Sequence, residues 1–411
     1  MAPPSARLLD LTRLVSRAGK EALTGVDRVE LAYLRTLLDR PIPLFALVRT
    51  TLGFALLDRK GAAALLPRLT RDTPWGRADL LGRLSQRHAP GRAQAESDLR
   101  RLCIARARPR GLARMLVRHL PAGTAYINVG HANLSGVVFA AVKTLADARI
   151  TVLIHDTIPL DYPAYSAPGV PAAFADRLAR VGAAADLVVY NSAQSRRDAE
   201  RHFARWGRVP PGLVAYLGVD LPIPDLAALP QDLPPRPYFV TLGTIEPRKN
   251  HALLLDLWDD MLRDPPPGGC PGLLILGRRG WNNADVFRRL DALGPTSPIR
   301  EIAGLNDSAV AAALANSAGL LFPSLAEGFG LPPLEAAALG VPTICNNLEI
   351  YQEILGNYPV YAPVNDRYLW HAALGDLTKK AGRQSGMTAH DRTRLLVPNW
   401  ADHFGPVLGL T

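Results

Sequence analysis

The sequence predicts an α/β protein made of two doubly wound parallel-sheet domains, and three observations carry that prediction. At 411 residues the chain is longer than a single hydrophobic core usually supports. Past residue 237, short β-rich runs alternate with segments of helical periodicity, the pattern of a parallel sheet with crossover helices. Between the halves lies DLPIPDLAALPQDLPPRP (220–237), rich in proline and without periodicity, which marks a linker.

Taken in order, RLLDLTRL reads as the opening strand. In GVDRVELAYLRTLL that follows, Val29, Ala32, Tyr33 and Leu37 fall at helical spacing. An arginine-rich helical insertion is expected over about 61–120. The runs YINVG (126–130), RITVLIHD (149–156) and ADLVVYNS (185–192) each end in a polar or glycine turn, as parallel strands do where they present loops to a ligand. Beyond the linker, YFVTLGT, GLLILG, IREIAG, GLLFPS and VPTICN are expected strands. The helices between them are KNHALLLDLWDDML, NADVFRRLDAL, DSAVAAALANS with Asp307 as N-cap, and PLEAAALG. The expected division is 1–219 for the first domain, 220–236 for the linker, 237–390 for the second domain and 391–411 for a C-terminal helix returning to the first. Hinges are expected near 215–236 and 385–400, with a cleft between the domains where ligands collect.

The loops after the second domain's strands carry the chemistry. YFVTLGT runs into IEPRKN, placing Arg248 and Lys249 beside a helix N-terminus, where backbone N–H groups and the macrodipole already favour an anion. Two cations in that position suit phosphate. GLLFPS leads into LAEGFGLPPLE, in which Gly328 and Gly330 allow the backbone close to a ligand. Glu327 then sits in the loop and Glu335 one turn into the next helix. Carboxylates accept hydrogen bonds from hydroxyls, so a pair spaced in this way suits sugars.

EGFGLPPLEAAALGVPTICNN resembles the E-x7-E signature of the retaining GT-B glycosyltransferases of family 4. GTIEPRKN and ILGRRGW resemble that family's phosphate-binding and following loops, especially in members that use GDP-sugars. The resemblance is strong over about 236–365 and thins toward IHDTIPLDYP, TGVDRVE and YNSAQSRRD. It implies a GT-B fold, two Rossmann-like domains facing a cleft, with retention of anomeric configuration. By resemblance Glu327 lies against donor-sugar hydroxyls, Glu335 binds the ribose and Lys249 holds the donor diphosphate. Many members carry Arg after the strand-ending glycine; Thr244 follows Gly243 here, so Arg248 is assigned that role. Gly243, Thr244, Arg278, Gly328, Phe329, Gly330 and Leu331 complete the expected nucleotide-sugar site. His155 resembles the histidine near the reacting centre, the alternative being a hydrogen-bonded histidine at a strand end. Gly25 and Asp156 are candidates for a phosphate or acceptor loop, Gly25 standing where the family has two glycines.

No Asp is followed two residues later by another Asp, so the metal-holding pair of the other major transferase fold is missing, and neither metal nor cofactor is expected. The implied reaction moves mannose or a related hexose from a nucleotide sugar, with GDP favoured and UDP the alternative, to a saccharide or lipid-linked acceptor of surface polysaccharide. A nicotinamide enzyme is disfavoured because no G-x-G-x-x-G follows a predicted strand. A sugar-nucleotide binder without activity stays open.

The net charge of +10 is concentrated: residues 61–120 hold thirteen Arg, no Lys and four acidic residues. That segment suits an anionic membrane surface, or else is a solvated helical face. A nucleic-acid partner is disfavoured because Trp75 is its sole aromatic residue, leaving nothing to interleave with bases. Cys103, Cys270 and Cys345 are distant and odd in number, as in a reducing cytosol. The N-terminus lacks a signal-peptide pattern, and the most apolar stretch, LFALVRTTLGFALL, contains Arg49. A cytoplasmic protein, peripheral at the inner face of the membrane, is the expectation.

Overall fold

Two parallel-sheet units emerge in the computed structural model, which describes residues 3–19, 23–84, 90–383 and 395–411. The first comprises residues 1–157, 172–217 and 400–411; the second comprises 158–171 and 218–399. Residues 384–394, which cover the first part of the expected second hinge, and Arg87 of the basic segment lie outside the described residues.

The first unit is built on an eight-stranded sheet ordered β4-β3-β2-β1-β5-β6-β7-β8. Its strands are β1 (Ala6–Asp10), β2 (Leu44–Thr50), β3 (Gly53–Leu57), β4 (Ala105–Ala107), β5 (Thr124–Asn128), β6 (Arg149–Ile154), β7 (Leu187–Tyr190) and β8 (Gly212–Val214). From β2 through β1 to β8 every pairing is parallel, but β3 is antiparallel to both β2 and β4. The expectation of a wholly parallel sheet is therefore corrected at this edge. The stretch LFALVRTTLGFALL is a hairpin, β2 turning into β3; the apolar residues of its two strands are buried or half-buried, while Leu52 in the turn is exposed. The opening strand also ends earlier than its sequence suggests: Asp10 Oδ1 accepts from the Thr12 amide at 3.0 Å, and Thr12–Ser16 turns helical. The arginine-rich segment holds the helices Leu80–Leu84, Pro90–Leu102 and Leu112–His119, yet it also supplies edge strand β4, so it is not purely helical.

The helix Trp400–Leu410 belongs to this first unit. Buried Arg7 on β1 donates to the carbonyls of Leu408 (3.1 Å) and Thr411 (2.9 Å), placing a cation at the negative end of that helix. His403 donates from Nδ1 toward the carbonyls of Ala215 and Tyr216, which can only accept. Its Nε2 is therefore the acceptor for the Tyr33 hydroxyl at 2.8 Å.

The second unit carries a six-stranded, all-parallel sheet: β9 (Tyr238–Leu242), β10 (Gly272–Leu276), β11 (Ile299–Ile302), β12 (Gly319–Phe322), β13 (Thr343–Cys345) and β14 (Val360–Tyr361). The order β11-β10-β9-β12-β13-β14 is that of the doubly wound dinucleotide-binding fold, reversing between β9 and β12. Continuous apolar runs such as GLLIL on β10 are buried on both faces, as strands covered by helices on each side must be. Trp258 of the helix His251–Arg263 and Trp370 of Arg367–Arg383 are fully buried in this core. The helix Asp307–Ala315 is capped one residue earlier than expected: Asn306, not Asp307, accepts from the Ala309 amide. The proline-rich residues before β9 lie on this unit, fixed by Asp225 N to Ser308 O and by Arg300 to Asp232. No helix among the described residues is long and apolar enough to cross a membrane.

Candidate active site at the strand-order reversal

In a doubly wound sheet, the loops after the two strands that flank the reversal diverge to opposite faces and leave a crevice at their carboxyl ends. In the second unit those loops follow β9 and β12, and they carry IEPRKN and LAEGFG. Pro247–Lys249 forms a single 3-10 turn, and Asn250 in the left-handed region hands the chain to the helix His251–Arg263. The turn brings Arg248 and Lys249 back over the sheet end, and the Leu325 amide donates to the Arg248 carbonyl at 2.8 Å, tying the two loops together.

Both cations meet one carboxylate oxygen. Glu327 Oε1 lies 2.5 Å from Lys249 Nζ and 2.7 Å from Arg248 Nη1. Arg248 is held from its other side by Glu246, with Nη2 at 2.6 Å and Nε at 2.9 Å, and it donates to the Ala326 carbonyl at 2.8 Å. Lys249 Nζ also stands 4.2 Å from the centre of the Phe322 ring. Burial by itself would raise the Glu327 carboxyl, but the adjacent Arg248 and Lys249 outweigh it and hold the group down at about 2. Lys249 is pushed below the ordinary lysine value, first by burial and then by Arg248, with Glu327 opposing. Two cations and two carboxylates thus form a desolvated, charge-balanced set.

Glycine geometry lets the loops approach. Gly243 has φ +137°, and a Cβ there would sit 3.2 Å from Lys249 Cε; a Cβ on Gly277 would meet the Gly243 carbonyl oxygen at 1.9 Å. Gly330, with φ +96°, precedes the helix Leu331–Ala338 and faces the Tyr351 ring. Glu335 is buried one turn into that helix, and Phe329 is buried in the loop, with Gly328 and Leu331 half-buried on either side. Thr244 is half-buried; Arg278 is exposed, its carbonyl accepting from the Ile245 amide.

The remaining candidates lie in the first unit. His155 follows β6 and is buried; its Nε2 donates to the Val129 carbonyl at 2.7 Å, and burial lowers it to about 4, so it is neutral near pH 7. Its own carbonyl accepts from Asn191 Nδ2 and Ser195 Oγ, and the His131 ring lies 5.0 Å away. Asp156 is next in the chain and half-buried. Gly25 is the first residue of the helix Gly25–Leu38, where Asp27 accepts from both the amide and the hydroxyl of Thr24 at 2.7 Å.

Two partners escaped the sequence reading. Glu246, which holds Arg248, was visible only as an acid two positions before it. Asp10, buried at the end of β1 and accepting from Tyr126 and Asn133, carried no local signal.

Residues 231–378 match the family described as glycosyl transferases group 1, and the Arg248, Lys249 and Glu327 cluster lies inside that span. The second unit carries a glycosyl transferases group 1 domain. Among curated relatives, the serotype-specific mannosyltransferase WbdA of Escherichia coli is 29% identical over 231 residues, 53% of this chain and 28% of the relative. The O-antigen chain mannosyltransferase B of Escherichia coli is 31% identical over 134 residues, 31% of this chain and 33% of the relative. The chain thus spans a third or less of the length of these two curated relatives. Among solved structures, Anabaena Alr3699/HepE in complex with UDP and glucose superposes with a TM-score of 0.59 at 14% identity, covering 98% of this chain and 99% of that one. Sucrose-phosphate synthase from Thermosynechococcus elongatus gives 0.51 at 19% identity over 70% and 72%. These likenesses place the group 1 domain within the GT-B fold.

Proposed function

We propose that the protein is a retaining, metal-independent hexosyltransferase that moves mannose or a related hexose from a nucleotide sugar, GDP-linked, to a saccharide or lipid-linked acceptor in surface polysaccharide synthesis. The observation that carries this reading is the single Glu327 oxygen shared by Lys249 and Arg248 at the strand-order reversal of the group 1 domain. The mannosyltransferase names of the relatives favour mannose.

Breaking the C1–O bond sends an electron pair to the diphosphate while the sugar becomes oxocarbenium-like. Lys249 and Arg248, already fixed by Glu327 and Glu246, supply positive charge where it develops, so stabilisation is larger in the transition state than in the ground state. Glu327 bridges from the cations to donor-sugar hydroxyls, and Glu335 takes the ribose. The acceptor oxygen bonds C1 on the face the diphosphate leaves, its proton passing to the departing phosphate oxygen. In His155, Nε2 is spent on Val129, which leaves Nδ1 of the neutral ring as an acceptor for a sugar hydroxyl.

The basic segment suits the inner membrane face: Arg106, Arg108, Arg110, Arg114 and Arg118 are exposed, with exposed Val117 beside them. Each basic residue near an anionic surface contributes about 1 kcal/mol. Flotation with anionic vesicles that is insensitive to salt would remove this part.

The test of the whole is incubation with GDP-mannose or UDP-glucose and an acceptor glycan, reading nucleotide release and, by NMR, the anomeric configuration of the product. GDP release with an α product from an α donor is expected. Release of UDP alone would move the donor reading to UDP-sugars, and no transfer with either donor would sink the hexosyltransferase reading.

A further inference from the structure

The loop that carries Glu327 is braced by one side chain of the helix Glu349–Leu355, which follows β13. That side chain is Tyr351, fully buried. At the loop's far end, a Cβ on Gly330 would stand 3.0 Å from Tyr351 Cε1, so the phenol ring lies against the backbone of the left-handed residue that opens the helix Leu331–Ala338. The same ring meets Phe322, with centres 6.0 Å apart, and Phe322 in turn faces Lys249. At the loop's near end stands Ser324, also fully buried, its carbonyl fixed by Asn346 Nδ2 at 2.9 Å.

Packing accounts for the ring but not for the hydroxyl. Burial first, and then the charge of Glu327, push the phenol well above its ordinary value, while the neighbouring Ser324 hydroxyl pulls the other way. Tyr351 therefore reaches Ser324 at the start of the loop and Gly330 at its end, with Glu327 between them. Yet neither Tyr351 Oη nor Ser324 Oγ has a hydrogen bond of good geometry among the described residues. An orphaned buried hydroxyl is destabilising, and phenylalanine or alanine would fill the same space without that cost. Two adjacent hydroxyls of this kind suit a hydrogen bond that forms in one state of the loop only, and a ligand that favours that state gains from it.

We propose that Tyr351 is a positioning residue for the sugar half of the donor: its hydroxyl donates to Ser324 Oγ as Glu327 engages a sugar hydroxyl, fixing the loop from start to end. This role rests on the transferase reading, in which Glu327 lies against the donor sugar.

The experiment is calorimetric titration of the full chain and its variants with GDP-mannose, UDP-glucose, GDP and UDP, together with melting temperatures. Tyr351→Phe keeps the ring and removes the hydroxyl; Ser324→Ala removes its partner. Each is expected to bind the sugar nucleotide that wild type prefers about tenfold more weakly, the scale of one hydrogen bond. Each should bind the free nucleotide as wild type does and melt at the same temperature or higher. The double variant should be no weaker than either single one, because the two hydroxyls make one bond. Equal losses for nucleotide and sugar nucleotide overturn the role, as do losses that add in the double variant. If neither sugar nucleotide binds wild type, the donor reading falls and this role with it. Binding by wild type that both Tyr351→Phe and Ser324→Ala leave intact removes the role alone.

Discussion

A single oxygen of Glu327 receives both Lys249 Nζ, at 2.5 Å, and Arg248 Nη1, at 2.7 Å, in a site where all three side chains are largely out of water. Replacing Glu327 by Gln keeps the shape and removes the anion, leaving two buried cations against Glu246 alone. Breaking a buried pair from one side costs about 3–5 kcal/mol. Because the carboxyl lies at about 2 when folded against 4.5 ordinarily, its stabilisation is complete above pH 4.5 and disappears as pH falls toward 2. Glu327→Gln should therefore be destabilised at pH 7, with the gap to wild type closing between pH 4.5 and 2 in urea titrations, and should lose transfer. A gap that does not change with pH would contradict the charge assignment.

Lys249 occupies a slot bounded by the Phe322 ring and by Gly243, whose missing Cβ leaves room for the lysine stem. Lys249→Ala is expected to lower turnover roughly 100-fold or more, the usual scale for one preorganised electrostatic donor. Lys249→Arg should not restore it, since the broader guanidinium has no space beside Gly243. Single-turnover kinetics with saturating donor separates this loss from weaker binding, and full rescue by arginine would show that charge alone matters.

Much of this arrangement could be read from the sequence because the second unit alternates strand and helix with little interruption, and because RKN and EGFGLPPLE fall in the loops after β9 and β12. What sequence could not supply was the partnership. Glu246 is an ordinary acid until the 3-10 turn folds Arg248 back onto it. The hairpin of β2 and β3 was hidden because an apolar stretch buried on both faces has no alternation to reveal a strand. Asp10 is more than a hundred residues of chain away from Tyr126 and Asn133, and the β1–β5 pairing brings it to them. Asn306 took the cap from Asp307 because both can cap, and one residue is within the ordinary uncertainty of a helix start.

Gly277→Ala tests how closely the loops after β9 and β10 must approach. A methyl there would overlap the Gly243 carbonyl oxygen at 1.9 Å, and neither backbone can retreat without leaving the sheet. Overpacking of this kind typically costs about 1–3 kcal/mol. Since Gly243 adjoins Lys249, GDP affinity should fall along with the melting temperature. A variant with wild-type stability and affinity would mean the loops have slack.

Tyr33 and His403 join the helix Gly25–Leu38 to the C-terminal helix through one buried hydrogen bond. Tyr33→Phe leaves His403 Nε2 without its donor, a loss of about 1–3 kcal/mol for an orphaned buried acceptor. The pH dependence is a separate test. Burial lowers His403 to about 4 from an ordinary 6.5, so the native state favours the neutral ring. Its contribution is complete above pH 6.5 and declines as pH falls through 6.5 toward 4, because the unfolded chain takes up the proton first. His155 and His251, at about 4 and about 3, act in the same direction, while buried Asp10 and Glu30, raised by burial, run the other way. A difference at one position isolates the effect. His403→Gln should be less stable than wild type at pH 7, yet lose less stability between pH 6.5 and 4. If its urea midpoints fall as steeply as those of wild type over that range, His403 is not a buried neutral histidine.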